Sequence, residues 1–188
     1  EVYNAVHPPL SLELDQVWND FLEDSEQWVA VLTGAGDKAF SAGNDLKYSA
    51  QPGKYKVQQP KSGFAGLTNR FDRTKPIIAA VNGFAMGGGM ETALSCDIIL
   101  ASENANFALP EVKVGFFAAA GGVQRLSRQI GKKAALEMIL TGRSVDAKEA
   151  LKLGIVNDVF SQSELLDKAI EKANIIAVSY THLRAHET

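Results

Sequence analysis

Short apolar runs halted by glycine set the strongest limit on how this chain can fold. Trp28-Val29-Ala30-Val31-Leu32 runs into Thr33-Gly34-Ala35-Gly36, and Pro76-Ile77-Ile78-Ala79-Ala80-Val81 runs into Asn82-Gly83 and then the triplet Gly87-Gly88-Gly89. Runs this short, with glycine at their ends, read as buried strands feeding turns. Asp97 to Ala101 reads as a third. Helical spacing lies between them. Leu10, Leu14, Val17, Trp18, Phe21 and Leu22 follow the i, i+4, i+7, i+8 pattern, a helix is predicted around Phe64 to Phe71, and Met90 to Cys96 reads as another. Residues 34 to 62 form a long surface excursion, because Gly43, Pro52, Gly53 and Pro60 interrupt any period. From Ala119 onward the pattern is helical, around 123–130, 135–139, 146–152 and 165–176. Alternating strand and helix define an α/β layered domain.

Charge and cysteine content remove several classes of function. The 19 Lys and Arg against 22 Asp and Glu leave a net charge of -3, so there is no basic field to draw nucleic acid or an anionic membrane. One cysteine, Cys96, cannot close an internal disulfide or nucleate a zinc cluster. No apolar run approaches the ~20 residues of a bilayer span, and the expectation is a soluble, cytoplasmic protein. Cys96 at an apolar helix end reads as an inert packed thiol. His7, beside Pro8-Pro9, reads as a turn residue rather than a base.

The glycine loops fit a nucleotide phosphate poorly. Gly34-Ala35-Gly36-Asp37-Lys38-Ala39 imitates part of a dinucleotide fingerprint, but more loop follows where a helix should begin. Gly87-Gly88-Gly89 does not lead into the Gly-Lys-Ser/Thr of a P-loop, and no Gly-x-Ser-x-Gly elbow exists. A triplet between strand and helix can instead leave backbone N–H groups uncovered and aimed at a developing oxyanion. Ser41-Ala42-Gly43 could supply a second donor. The same residues are equally compatible with tight turns at close packing points. Glu91, three residues after Gly88, would emerge about one turn into the helix, near those donors. Glu111 follows Leu109-Pro110 in a loop whose local sequence does not set its direction. At one carbonyl site the two could act as general acid and base; each alone reads as a solvated surface charge.

Several longer motifs go further. Val31-Leu-Thr-Gly-Ala-Gly-Asp-Lys-Ala-Phe-Ser-Ala-Gly-Asn-Asp-Leu-Lys47, Pro76-Ile-Ile-Ala-Ala-Val-Asn-Gly-Phe-Ala-Met-Gly-Gly-Gly-Met-Glu91 and Phe107-Ala-Leu-Pro-Glu-Val-Lys-Val-Gly115 closely resemble the enoyl-CoA hydratase/isomerase (crotonase) family. Gly121-Gly-Val-Gln-Arg-Leu126, Leu140-Thr-Gly-Arg143 and Gly154-Ile-Val-Asn157 continue the match in the family's order, over about residues 2 to 175. The resemblance implies a crotonase-like spiral of ββα units that binds an acyl-CoA thioester, usually as a homotrimer or hexamer. It implies an oxyanion hole from the N–H groups of Ala42 and Gly88, and a CoA-binding groove along Ala42, Gly43, Asn44 and Asp45. Glu91 and Glu111 fall where the family's glutamates activate water and protonate the α carbon. Having both favours hydration or dehydration across the 2,3 double bond. No cofactor is implied, coenzyme A being part of the substrate.

Two departures bear on the substrate. After Gly115 the chain reads Phe-Phe-Ala-Ala-Ala-Gly-Gly, so Ala119 stands where hydratases often have the first glycine of that turn. Phe107-Ala-Leu-Pro-Glu111 also resembles carnitinyl-CoA dehydratase relatives. Isomerisation of the double bond, which needs one carboxylate, and non-catalytic acyl-CoA binding are the further alternatives.

The ends carry separate expectations. The start at Glu1 reads as truncated, and Val178 to Thr188 resembles a translated adaptor, leaving residues 1–177 as a catalytic core whose C-terminal helical region is incomplete. His182 and His186 stand at i, i+4, but Leu183 occupies the place of a zinc protease's glutamate, so the segment is expected to be an unstructured, non-native tail without metal.

Overall fold

The computed structural model describes residues 3–53 and 58–185, with side chains to residue 179. The described strands form two four-stranded sheets. In the first, β1 (Ala30–Thr33), β3 (Ile77–Val81), β5 (Ile98–Ser102) and β8 (Asp158–Phe160) lie in that order, all parallel. The second orders β2 (Ala39–Ser41), β4 (Phe84–Met86), β6 (Asn106–Ala108) and β7 (Ser144–Asp146), parallel except for the antiparallel β6–β7 pair. From β1 to β6 successive strands alternate between the sheets. A helical segment follows each pair: α2 (Leu46–Ser49) after β2, α3 (Gly88–Leu94) after β4, and a 3-10 turn (Pro110–Val114) after β6. This is the expected spiral of ββα units.

The central strands of the first sheet, β3 and β5, are buried on both faces, which explains their unbroken apolar runs. In β3, Ala79 and Val81 face the main core with Met90, Leu126 and Met138, whereas Ile78 and Ala80 pack on Leu165 and Ala169 of α7 (Leu165–Ala185). Trp18 and Phe21 of α1 (Pro8–Glu23) close the sheet's edge against Leu67 and Ile77. The predicted C-terminal helices are α4 (Gly122–Gln129), α5 (Lys132–Thr141), α6 (Ala147–Leu153) and α7.

Five expectations change. The excursion of residues 34 to 62 contains buried β2 and short α2, and the C-terminal helical stretch is interrupted by β7 and β8. These elements are too short to show a period. The helix predicted around Phe64 to Phe71 reduces to a 3-10 turn, Phe64–Gly66, because Ala65 takes a left-handed φ of 54°. Helix α3 begins at Gly88, two residues before its predicted start, and ends before Cys96. Finally, α7 continues to Ala185, so residues 178–185 are helical where an unstructured tail was expected; neither glycine nor proline lies between Leu165 and Ala185 to stop it. The His182 side chain and His186 lie outside what is described.

Candidate active site

Strand β4 delivers the chain to Gly87 at φ 54°, and the turn starts α3 at Gly88. Glu91 therefore sits in the first turn, only 4% exposed. Its Oε1 accepts from the N–H of Gly122 at 2.9 Å. Burial pushes its carboxyl from an ordinary 4.5 to about 7. The Gly122 N–H opposes that rise, the negative charge of Glu111 adds to it, and the Ala120 N–H and the Arg125 guanidinium oppose it.

Glu111 reaches the same place from the 3-10 turn after β6. Burial raises its carboxyl too, against a hydrogen bond from its own N–H. Its Oε2 is buried without a hydrogen-bond partner, and its Oε1 stands 3.0 Å from where a Cβ on Gly87 would lie. Two carboxyls raised by burial thus flank the glycine triplet. Among the described residues, no group of three or more His, Cys, Asp or Glu could hold a metal ion.

The second loop meets the triplet backbone to backbone. A Cβ on Gly43 would fall 2.6 Å from the Met86 carbonyl and 2.9 Å from Gly88 N, so only glycine allows this approach. Gly88 N–H has no hydrogen-bond acceptor among the described residues. Ala42 N–H differs from the expectation of a second open donor: it donates to the Tyr3 carbonyl at 2.8 Å. The physical reason is that Tyr3 to Val6 lie along the loop, with Val6 N–H donating to Gly43 O and Asp45 N–H to Val6 O. Asp45 caps α2, accepting from Tyr48 N–H at 2.9 Å, and Asn44 Nδ2 donates to Ser49 Oγ. His7 caps α1 through Nδ1, as a turn residue would. Cys96 is partly buried, its Sγ donating to the Thr92 carbonyl at 3.5 Å, and burial pushes its thiol up to about 12.

Sequence reasoning assigned no role to several residues at this site. The Phe64 ring packs on Gly88, with Cε1 2.6 Å from a Cβ built there. A Cβ on Gly122 would lie 3.0 Å from Glu91 Oε1 and 2.9 Å from the Ala118 methyl. Ala119 is tolerated because the positive φ angles of its loop fall at Gly115 and Gly121. Phe116 and Phe117 precede that turn, 70% and 69% exposed. Arg125 lies in a motif quoted above, yet its acceptors are backbone carbonyls that leave no mark in the sequence.

Two mostly parallel sheets wound from alternating strands define a crotonase-type fold, with Glu91 and Glu111 beside its glycine triplet. The enoyl-CoA hydratase/isomerase family profile matches residues 1–187, and the chain belongs to that family. It is 49% identical over 170 residues to a carnitinyl-CoA dehydratase of Citrobacter koseri, covering 90% of this chain and 65% of that relative. The chain therefore spans slightly less than two thirds of that relative's length. A carnitinyl-CoA dehydratase structure from Mycobacterium avium 104 superposes with a TM-score of 0.86 at 43% identity, covering 93% of this chain and 68% of the other. An enoyl-CoA hydratase structure from Bacillus anthracis gives 0.85 at 38% identity, covering 94% and 69%. Among the described residues no helix is long and apolar enough to cross a membrane.

Proposed function

We propose that this chain carries the site of an acyl-CoA hydro-lyase, which adds or removes water across the 2,3 double bond of an enoyl-CoA thioester. The observation that carries the reading is the pair of raised carboxyls, Glu91 and Glu111, on either side of the glycine triplet. Burial raises both carboxyls and the charge of Glu111 raises Glu91 further, and in the proposed reaction one glutamate carries a proton while the other is ionised. Such a pair supplies the acid and the base that hydration needs at once. The ionised glutamate takes a proton from water as its oxygen attacks the β carbon, and the other delivers its proton to the α carbon. Charge developing on the thioester oxygen is met by Gly88 N–H and, once the Tyr3 carbonyl yields, by Ala42 N–H. Ala42 to Asp45 line the coenzyme A groove, no separate cofactor takes part, and a cytoplasmic trimer or pair of trimers goes with this reading.

Loss of crotonyl-CoA absorbance tests it. Turnover by the purified protein should fall on the order of 10²–10⁴-fold in Glu91→Gln and in Glu111→Gln; undiminished turnover in the double variant sinks the assignment. The 49% identity to a carnitinyl-CoA dehydratase favours a second acyl group on the same chemistry. Comparing kcat/KM for crotonyl-CoA and carnitinyl-CoA decides between them. An isomerase would shift the double bond without taking up solvent oxygen, and a binding module would hold CoA esters and turn over none.

A further inference from the structure

We propose that Arg125 is a positioning residue for this site: its guanidinium staples the turn that feeds Glu91 to the turn that covers Gly88, holding both walls of the cleft in one geometry. Its catalytic consequence rests on the acid–base reading above; the staple does not.

Arg125 projects from α4 and donates in two directions, from Nη2 to the Thr68 carbonyl at 2.7 Å and from Nη1 to the Ala120 carbonyl at 3.2 Å. Its guanidinium also lies over the Phe71 ring, 5.5 Å from the centroid. Gly121 makes room for it, since a Cβ there would fall 1.9 Å from Nη1. The turn that gives its carbonyl to Arg125 also holds Glu91: the Gly122 N–H, two residues on, bonds that carboxyl at 2.9 Å, and the Ala120 N–H favours its charged form. On the other side Thr68 N–H donates to the Phe64 carbonyl, and the Phe64 ring rests on Gly88. One planar fork therefore connects the donors of Glu91 to the cover of the open amide.

The charge acts as well as the fork. Glu91 is faced by Glu111 from the 3-10 turn and by Arg125 from α4, and Arg125 is the cation that opposes the rise of its carboxyl. Arg125 in turn faces Glu91 from α3, Cys96 just beyond α3, and Arg73, which Asp97 neutralises at 2.6 Å. Its hydrogen-bond acceptors are neutral carbonyls, so its charge stays available to Glu91. Lysine would keep that charge, but an ammonium lacks the planar fork that spans both carbonyls.

The experiment compares Arg125→Gln, Arg125→Lys and, as a nearby control, Arg128→Gln. In the apo protein the Glu91 carboxyl carbon is titrated by NMR, and the Gly122 amide and Phe64 ring resonances are followed. Arg125→Gln should move the Glu91 midpoint to higher pH, Arg125→Lys should move it less, and Arg128→Gln should leave it in place. Both Arg125 variants should shift the Gly122 and Phe64 resonances and lower kcat on the order of tenfold or more with KM little changed. The pH limb of kcat/KM should rise most in the glutamine variant. A Glu91 midpoint unmoved in Arg125→Gln overturns the proposal, as do Gly122 and Phe64 resonances unmoved in Arg125→Lys. Should Arg125→Gln fail to fold, the lysine variant decides through those resonances. A wild-type protein that turns over no enoyl-CoA overturns the hydro-lyase reading alone, because the titration needs no substrate.

Discussion

Replacing Glu91 by Gln should change the pH dependence of stability by an amount that follows from its burial. The carboxyl is raised from 4.5 to about 7 in the folded chain, so between those values the folded state binds more protons than the unfolded state. Stability then falls as pH rises through that window, the opposite of a salt-bridged acid. At ~1.36 kcal/mol for each tenfold change in proton affinity, the whole displacement is worth about 3 kcal/mol. Roughly 2 to 3 kcal/mol of it falls between pH 5 and pH 8. Glutamine keeps an oxygen for the Gly122 N–H and removes the charge. Any fixed cost of the substitution is independent of pH and cancels when the two pH profiles are subtracted. Urea melts of wild type and Glu91→Gln, followed by circular dichroism at half-unit pH steps, give the difference curve directly. It should climb in favour of the variant by roughly 2 to 3 kcal/mol from pH 5 to pH 8. A flat difference curve would refute the claim that burial holds this carboxyl up.

The other outcomes test separate contacts. Gly122→Ala puts a methyl 3.0 Å from Glu91 Oε1 and should lower kcat/KM on the order of 10²-fold, while crotonyl-CoA assays of Arg128→Gln stay near wild type. Trp18→Phe removes the buried Nε1–H bond to the Ala65 carbonyl and should cost about 1–3 kcal/mol in a urea melt. Cys96, its thiol pushed up to about 12, should resist a disulfide reagent at pH 8 when folded and react fully in urea. Titrating the protein with a non-hydrating CoA thioester should shift the amide resonances of both Gly88 and Ala42 as the Tyr3 carbonyl is displaced; an Ala42 amide that stays put would leave the cleft with one donor.

How legible the site was depended on how local each contact is. Glu91 could be placed from sequence because a glycine triplet starts a helix and fixes what lies one turn later. Glu111 could not be placed from its own surroundings, since its direction comes from β6 docking on β4; only the resemblance paired it with Glu91. The unbroken apolar runs of β1 and β3 were visible, whereas β2, β4 and β6 are too short to show alternation and emerge only through pairing in the second sheet. The hold of Tyr3 on Ala42, and of Arg125 on Thr68 and Ala120, involves backbone carbonyls, which every residue has and no pattern marks.

The central claim is that two raised glutamates at this amide move water on and off an acyl-CoA double bond. The most direct measurement is mass spectrometry of the 3-hydroxyacyl-CoA formed from crotonyl-CoA in oxygen-18 water. Wild type should place one solvent oxygen in the product on each turnover, and Glu91→Gln with Glu111→Gln should place none above background. Consumption of the substrate with no label, or labelling undiminished in the double variant, would contradict the account.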